Sequence, residues 1–258
     1  MANSAGWTVS PPGPTSLGSL VAGGHADATW QVTAPADAPA GPSPLHLLAT
    51  YDDGGTSAQC AATITAVVPS TDLSSSYNNI GITDDDNTDV GDIDGAGSSL
   101  SAQALQAVGV TPGAPVSHNG MVFAWPNVPA GQPDNVVSHG QSFQLSGTGS
   151  NLGLLATATY GPATGTGTVT YSDGTTQQFT ITVADWYSNP PSGSDIAITM
   201  SYRNRPNNTQ QTHDIHVFLV KVPLQAGKTA VGVTLPDISA SATHGTPALH
   251  VFGIALGN

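Results

Sequence analysis

The stretch YSDGTTQ, residues 171–177, joins two runs that predict the fold class of the chain. The run before it, GTVTYS (167–172), and the run after it, QQFTITVADW (177–186), are rich in β-branched and aromatic residues. Such runs are typical of β-strands, and an Asp-Gly pair between them is a strong signal for a hairpin turn. Residues 167–186 are therefore predicted to form two antiparallel strands.

Similar short runs, separated by clusters of Gly, Pro, Asn and Asp, recur along the whole chain. Three predicted strands at 28–35, 44–51 and 58–69 suit a small immunoglobulin-like sandwich, and the turn DDGGTS joins the last two. About nine further strands are predicted after residue 77, which is typical of a jelly-roll sandwich. The pattern therefore predicts an all-β protein.

The segment PSTDLSSSYNN, residues 69–79, interrupts the strand pattern with polar residues and a proline. We accordingly predict an immunoglobulin-like domain at 1–69, a linker at 70–76 and a jelly-roll domain at 77–258. One stretch of the second domain, SSLSAQALQAVG (98–109), fits both a helix that stops at Gly109 and an extended strand, and periodicity does not separate the two.

The charge balance of the chain excludes two classes of partner. Four Lys and Arg residues stand against 17 acidic residues, which gives a net charge of −13. Nucleic acid and anionic membrane surfaces both require clustered cations, so neither is an expected partner. Charged residues make up only 8% of the chain, and its neutral hydroxyl and amide groups are typical of secreted proteins that contact polysaccharide.

The single cysteine, Cys60, excludes an intramolecular disulfide. It lies in the strand-like run SAQCAATITAVV (57–68), where we predict a small buried hydrophobic side chain. The start MANSAGWTVSPPG (1–13) has neither the basic nor the apolar region of a signal peptide. We therefore expect the chain to be a piece of a longer, secreted, extracellular protein.

The first part of the chain resembles a known small domain. Residues 6–55, GWTVSPPGPTSLGSLVAGGHADATWQVTAPADAPAGPSPLHLLATYDDGG, follow the order V…G…A.W.V..P..A..G...L...A.Y after a Trp-containing strand. This order is similar to that of the NEW3-type immunoglobulin-like domain, and the similarity extends over about residues 6–68. The resemblance implies an immunoglobulin-like sandwich of the kind attached to glycoside hydrolases.

The second part resembles the galactose-binding-like β-sandwich domains of secreted actinobacterial glycoside hydrolases, including the α-mannosidase group. The resemblance implies a non-catalytic accessory region that binds carbohydrate and accompanies the catalytic domain of a parent enzyme. Domains of this kind also serve as spacers. The segments that carry the resemblance are SYNNIGITDDDNTDVGDIDGAGSSLSAQAL, FAWPNVPAGQPDNVVSHGQSFQL, TYSDGTTQQFTITVADW, VPLQAGKTAVGVTLP and LHVFGIAL.

The acidic loop, ITDDDNTDVGDIDGAG (82–97), holds six aspartates and is the candidate metal site. Calcium takes about six to eight oxygen ligands, and β-sandwich carbohydrate modules often hold a structural Ca²⁺. The spacing does not match an EF-hand, whose first and twelfth positions would not be acidic here. We predict Asp84, Asp86 and Asp94 as ligands of a structural Ca²⁺. A solvated acidic loop without metal is the alternative, and both stay open.

Several residues at predicted strand ends and in loops are candidates for contact with a sugar, because sugar rings stack on aromatic side chains and sugar hydroxyls bind polar ones. Each has a structural alternative: the tryptophans as core residues, the Asp-Asn pair as an Asx turn, and the arginine as the partner of an aspartate in the acidic loop. The predicted ligand-binding residues are Trp125, Asp134, Asn135, Trp186, Tyr187 and Arg203.

The sequence thus predicts a non-catalytic accessory region of a secreted carbohydrate-active enzyme, with carbohydrate binding as its role. A structural spacer without a ligand is the first alternative, and buried Trp125 and Trp186 would favour it. A glycosidase or lyase is the second alternative, and it would require a deep cleft that holds two carboxylates.

Overall fold

The structure, a computed structural model, describes residues 7–10, 16–21, 24–33, 41–52, 57–68, 73–145 and 148–258. Within these residues almost all regular secondary structure is β-strand, which confirms the all-β prediction. The chain divides into two units, Met1–Val68 and Pro69–Asn258. A search of the described residues finds no helix with the length and hydrophobicity needed to cross a membrane.

The first unit contains two antiparallel strand pairs in its described residues. Strand β1 (Thr8–Ser10) pairs with β2 (Gln31–Thr33), and β3 (Gly41–Asp52) pairs with β4 (Ser57–Val68). The register of β3 and β4 is continuous along all twelve residues of each strand. Strands β2, β3 and β4 fall on the three predicted strands, whereas most of the predicted turn DDGGTS lies outside the described residues.

Cys60 differs from its prediction. It lies in β4 as expected, but its side chain is exposed, as is Ala49 directly across the strand pair. The run of small and apolar residues therefore predicted the strand correctly and the burial of the thiol wrongly. A strand pattern specifies alternation of faces, but the layer that covers a given face is a tertiary property.

The second unit begins before residue 77. Leu73 lies inside the predicted linker, yet it is 4% exposed and packs in the core of this unit. A short 3₁₀ turn, Ser74–Ser76, follows it. Residues 70–72 of the predicted linker lie outside the described residues.

Two sheets dominate the second unit. The larger has the strand order β5-β6-β14-β15-β11-β17-β9, and the smaller has the order β10-β16-β12-β13. All neighbouring strands in both sheets are antiparallel except β5 and β6. The elements are β5 (Ile82–Thr83), 3₁₀ turn Thr88–Val90, β6 (Ser99–Ser101), α1 (Ala102–Ala107), β7 (Pro115–His118), β8 (Met121–Ala124), β9 (Val136–Val137), β10 (Ser142–Gln144), β11 (Asn151–Thr159), β12 (Ala163–Tyr171), β13 (Thr176–Val183), β14 (Ile196–Arg205), β15 (Thr209–Pro223), β16 (Ala230–Thr234) and β17 (Ala248–Gly257).

The Asp-Gly hairpin forms as predicted. β12 and β13 pair in antiparallel register up to Thr170 opposite Thr176. Gly174 takes a left-handed φ of 80°, and Asp173 Oδ1 accepts a hydrogen bond of 2.9 Å from the backbone N–H of Thr175. The turn residues therefore supply both the positive φ and the side-chain acceptor that the hairpin requires.

The main core lies between the two sheets. Phe179 and Ile181 of β13 face it from the smaller sheet, and Leu152, Leu154 and Phe218 face it from the larger. The larger sheet is also covered on its other side, where the β7–β8 hairpin and α1 pack against it. Its central strands β11 and β17 are consequently buried along nearly their whole length, without the alternation of a strand that has one solvated face.

The ambiguous stretch 98–109 contains both predicted structures. Ser99–Ser101 forms β6, and the chain then turns directly into α1. Ser101 caps the helix, since its Oγ accepts a hydrogen bond of 3.0 Å from the N–H of Ala104. Gly109, with a φ of 82°, follows the helix as its predicted stop.

Candidate functional site

A cleft of about 390 Å³ opens where β14 meets the loops that follow β11 and β13. This lies within the range of about 300–1,000 Å³ that is typical of small-ligand sites. Arg203 and Arg205 are two residues apart on β14, so they project to the same side of the sheet. Tyr160 follows β11, and Tyr187 lies in the loop after β13. The cleft therefore gathers two of the four cations of the chain beside two tyrosines.

Arg203 is held by a carboxylate, an amide and two aromatic rings. Its Nη1 lies 3.5 Å from Asp94 Oδ2, and its Nε donates to Gln211 Oε1 at 2.9 Å. Its Cζ lies 4.1 Å from the ring centroid of Tyr187 and 5.2 Å from that of Trp186, which is cation–π geometry. Burial lowers the pKa of Arg203, and the charge of Asp94 opposes that shift. An arginine remains charged in such a setting.

Tyr187 is oriented by contacts on its ring and its hydroxyl. The hydroxyl oxygen accepts a hydrogen bond of 3.0 Å from Gln211 Nε2. The ring of His213 lies with its centroid 4.1 Å from that of Tyr187, and His213 Nε2 is 2.5 Å from the Tyr187 carbonyl oxygen. Trp186, only 2% exposed, lies beneath as the floor of the cleft. Tyr187 itself stays half-buried, so part of its surface faces the cleft.

Asp185 fixes the rim of the cleft. Its Oδ1 accepts hydrogen bonds from the backbone N–H groups of Tyr187 at 2.9 Å and Ser188 at 3.1 Å. Its Oδ2 accepts one from the N–H of Gly161 at 2.9 Å. One carboxylate thus ties the loop after β13 to the turn after β11.

Tyr160 and Arg205 also line the cleft. Tyr160 has a left-handed φ of 57°, and its ring meets that of His244 edge-on at 5.1 Å between centroids. Burial raises the pKa of the Tyr160 hydroxyl, and the charge of Asp94 adds to the shift. Arg205 Nη1 donates to Ser98 Oγ at 2.8 Å. Across the described ranges, the ion pairs within 4 Å do not include Arg205.

The structure brings four of the predicted site residues together. Trp186, Tyr187 and Arg203 were predicted as ligand contacts, and Asp94 was predicted as a metal ligand. All four line the cleft, although they come from three separate segments. The alternative in which Arg203 pairs with an aspartate of the acidic loop is also realised, through Asp94.

Trp125 lies elsewhere and is a core residue. Its side chain is 2% exposed, and its ring stacks on that of Phe252 at 5.2 Å with 11° between the planes. The edge of Trp125 lines a second cavity of about 300 Å³, together with Tyr77 and Asn127. Among its described lining residues, none carries a charged side chain. A sugar ring therefore cannot stack on the face of Trp125 that Phe252 covers.

Asp134 and Asn135 form a buried polar network instead of an exposed ligand site. Asp134 is 1% exposed and accepts hydrogen bonds from the N–H groups of Gly81 and Ile82, and Asn135 Nδ2 donates to Asp134 Oδ1 at 2.8 Å. Asn135 Oδ1 lies 2.9 Å from Nδ1 of the fully buried His250. Both predicted contacts are thus corrected to structural roles, because neither side chain reaches the surface.

The electrostatics of this network follow from its burial. Burial raises the pKa of Asp134 from 3.8 to about 7, although its hydrogen bonds to Asn135, Ile82 and Gly81 lower it. Burial lowers the pKa of His250 from 6.5 to about 3. The uncharged forms of both groups are favoured inside the protein.

The predicted calcium ligands do not converge. Asp94 accepts hydrogen bonds from the N–H groups of Ala96 and Ser98, Asp84 accepts one from Gln103, and Asp86 is exposed. In the part of the chain that the structure describes, no group of three or more His, Cys or Asp side chains is arranged to hold a metal ion. The three-aspartate ligand set is therefore not formed, and a structural Ca²⁺ stays a prediction.

Among the cleft residues with ionisable side chains, sequence reasoning missed four: Tyr160, Asp185, Arg205 and His244. Arg205 could have been predicted from the sequence, because it is one of only four cations and lies two residues after Arg203. Tyr160 follows a predicted strand and precedes Gly-Pro, which marks a turn. No sequence feature indicated Asp185 or His244, since their positions depend on the packing of separate loops.

Comparison with known families assigns the second unit. Residues 69–242, about two thirds of the chain, match the AziU2-like beta-sandwich domain. The chain belongs to the AziU2-like β-sandwich family. This corrects the predicted family, since the match does not support a galactose-binding-like domain or a relation to α-mannosidases. The strand pattern predicted a sandwich, but many families share that pattern.

The first unit matches a second family. Residues 5–52 are similar to the NPCBM-associated, NEW3 domain of alpha-galactosidase, in agreement with the predicted NEW3 resemblance. The chain thus combines a segment similar to the NEW3 domain of alpha-galactosidase with an AziU2-like β-sandwich. A search of the curated proteins finds no match.

Proposed function

We propose that this protein is a non-catalytic accessory region of a secreted carbohydrate-active enzyme, and that its second unit binds carbohydrate in the Arg203–Tyr187 cleft. The observation that carries the proposal is the grouping of Tyr160, Tyr187, Arg203 and Arg205 around one cavity of about 390 Å³. The catalytic domain of the parent enzyme is the proposed macromolecular partner.

The chemistry of the cleft supports this proposal. A sugar ring presents apolar C–H faces that pack on aromatic side chains, and hydroxyl groups that accept hydrogen bonds from guanidinium groups. Tyr160 and Tyr187 supply partly exposed rings, and Arg205 supplies donors beyond the one used on Ser98. The hydrogen bonds of Asp185 and Gln211 hold the surrounding loops in place before a ligand arrives, which limits the entropy lost on binding.

The first unit supports the enzyme-associated part of the proposal. Its match is to a NEW3 domain of alpha-galactosidase, a domain that accompanies a catalytic domain. Tethering raises the local concentration of a weakly held glycan near the enzyme, so even modest affinity in the cleft is useful. The low fraction of charged residues, 8%, and the polar composition of the chain suit an extracellular protein that contacts polysaccharide.

The two carboxylates of the cleft support a binding role over hydrolysis. A glycosidase uses one carboxyl group that gives a proton and a second that attacks or activates water. Asp94 and Asp185 instead accept backbone hydrogen bonds, and Asp94 also contacts Arg203. These contacts hold the loops of the cleft together.

Glycan binding can be tested with the protein on an array of neutral and acidic glycans, followed by calorimetry on each hit. Tyr187→Ala should weaken binding by about tenfold or more, because it removes a ring from the wall. Trp125→Phe is the matched aromatic control and should leave the affinity unchanged. Thermal unfolding of each variant verifies that it is folded. Loss of binding in Trp125→Phe alone would move the site to the Trp125 cavity.

A spacer without a ligand is the second candidate function. It is favoured by the burial of Trp125 and Trp186, each only 2% exposed. The glycan array separates the two functions, because a spacer binds no glycan. Removal of a spacer from the parent enzyme would still change the stability or the domain spacing of that enzyme. Absence of binding to every glycan would therefore replace the carbohydrate-binding proposal with this one.

A further inference from the structure

We infer that the sugar bound in the cleft carries an acidic group, held by Arg205. This inference rests on the proposed function and names the ligand class of the same site. It follows from how the charges around the cleft are paired, and from the charge of the rest of the chain.

The two arginines of the cleft are used differently. Arg203 lies 3.5 Å from Asp94, and both side chains are nearly buried, at 11% and 6% exposure. Its Nε is also occupied by Gln211. Arg203 therefore serves mainly to hold Tyr187 and the acidic loop in position.

Arg205 has no such partner within the described residues. It is half-buried, and its hydrogen bond runs to the neutral hydroxyl of Ser98 through one nitrogen, Nη1. The ion pairs formed by the described residues involve other side chains. A guanidinium has five N–H donors in a planar fork, which matches the two oxygens of a carboxylate. Arg205 thus offers the cleft unused donors and a charge that no carboxylate within 4 Å compensates.

Asp185 does not fill this role. Its two oxygens are directed to the N–H groups of Gly161, Tyr187 and Ser188. Moving it toward Arg205 would break the contacts that join the two loops of the rim. Asp94, the other carboxylate that lines the cleft, is paired with Arg203 and accepts two backbone hydrogen bonds. An acidic group of the ligand therefore fits Arg205 as its counterpart.

The net charge of the chain restricts the ligand further. With a net charge of −13 and four cations, most of the surface repels anions. Arg203 and Arg205 are half of all cations, and Lys228 is already paired with Asp173. A densely charged polyanion is therefore disfavoured over a mostly neutral glycan with a single acidic residue.

The test uses glycans that differ by one acidic group. Xylotetraose is compared with xylotetraose that bears one glucuronic acid, and galactotriose with its forms that carry one galacturonic acid or one sulfate. Oligogalacturonate supplies the dense polyanion, and a general glycan array supplies further neutral and acidic pairs. We expect at least one singly acidic glycan to bind about tenfold more tightly than its neutral counterpart, since charge-assisted hydrogen bonds are stronger than neutral ones.

Variants assign the effect to Arg205. Arg205→Gln should remove the preference for the acidic glycan, so that the acidic glycan and its neutral counterpart bind with equal affinity. Lys221→Gln is the matched control, because it removes the same charge from a lysine that bonds the Asn119 carbonyl oxygen and does not line the cleft. Comparing the affinities of the carboxylated and the sulfated glycans identifies which acidic group the cleft prefers.

The outcomes separate this inference from the proposed function. Equal binding of neutral and acidic glycans overturns the inference and leaves the carbohydrate-binding function intact. Preference for the acidic glycan that persists in Arg205→Gln also overturns it. Binding to no glycan at all overturns the proposed function itself. Tightest binding to oligogalacturonate would contradict the single-acid form of the ligand.

Discussion

Two strand ends of the second unit carry a tryptophan, and the structure uses them differently. FAWP (123–126) ends the β7–β8 hairpin, and ADWYS (184–188) follows β13. Both tryptophans are 2% exposed. Trp125 lies flat against Phe252, whereas Trp186 lies under the guanidinium of Arg203 as the floor of a cleft.

The difference lies in the neighbours of each tryptophan. Pro126 follows Trp125 and lines a small cavity together with Leu105 of α1. Tyr187 follows Trp186 and remains half-buried beside Arg203, with its hydroxyl bonded to Gln211. A tryptophan at a strand end is thus a packing residue in both places, and the side chain next to it determines whether a site forms.

The largest effect is expected at the first strand end. Trp125→Ala should lower the free energy of unfolding by about 3–5 kcal/mol, because it leaves a cavity against Phe252. Urea denaturation measures this change. Val231→Ala, at a residue that is 37% exposed, is the surface control and should stay within about 0.5 kcal/mol of wild type. A loss below about 1 kcal/mol for Trp125→Ala would show that the ring is not packed as described.

The second prediction concerns the buried network near the first strand end, where Asp134 and Trp125 line one small cavity. The pKa of Asp134 is raised from 3.8 to about 7, so the folded state holds a proton that the unfolded state releases above pH 4. The pKa of His250 is lowered from 6.5 to about 3, so the unfolded state holds a proton that the folded state lacks below pH 6.5. Between these limits the two effects on stability oppose each other.

Asp134→Asn removes the effect of Asp134 on the pH dependence of stability and leaves that of His250. The free energy of unfolding of this variant should rise by about 1.4 kcal/mol per pH unit between pH 4 and 6.5, or about 3 kcal/mol over the window. In wild type, the effects of Asp134 and His250 cancel, so these two groups leave the free energy of unfolding nearly constant over the same range. Urea denaturation across this pH range measures the slopes. Asp86→Asn removes an exposed charge and is the control, with a slope like that of wild type. Parallel slopes in Asp134→Asn and wild type would contradict the raised pKa of Asp134.

The third prediction tests the other strand end. Arg203→Met keeps much of the apolar stem but leaves the buried Asp94 without its cation, which should destabilise the protein by about 1–3 kcal/mol. Chemical denaturation measures this loss. The double variant Arg203→Met with Asp94→Asn should recover part of it, because the unpaired charge is gone. An additive double variant would show that the two side chains do not interact.

The smallest effect is expected for calcium. Asp84 and Asp94 already accept hydrogen bonds from the protein, Asp86 is exposed, and no three such side chains of the described residues are grouped to hold a metal ion. Added Ca²⁺ should therefore change the Tm by less than about 1 °C, with Mg²⁺ and EDTA as controls. A clear rise of Tm with Ca²⁺ concentration would instead support the predicted calcium site, since a ligand specific to the folded state stabilises it.

Local chemistry made several features predictable. The β-branched runs, the Asp-Gly turn and the stop at Gly109 were identified because each depends on neighbouring residues alone. Tyr187 and Arg203 were predicted as ligand contacts because aromatic and cationic side chains are rare in this chain, and both line the cleft. Asp134 and Asn135 were misassigned because a polar pair in a loop looks exposed until His250 and the N–H groups of residues 81–82 are packed against it.

The sequence by itself determined an all-β protein with a NEW3-like first part, since strand periodicity and turn residues act over a few positions. Tertiary structure decided which strand-end side chains were covered and which lined a cleft. Covering Trp125 required the β7–β8 hairpin to lie on the larger sheet, and assembling the cleft required Tyr160, Tyr187 and Arg203 to meet from three distant segments. Contacts of such long sequence separation arise from packing, and no local pattern encodes them.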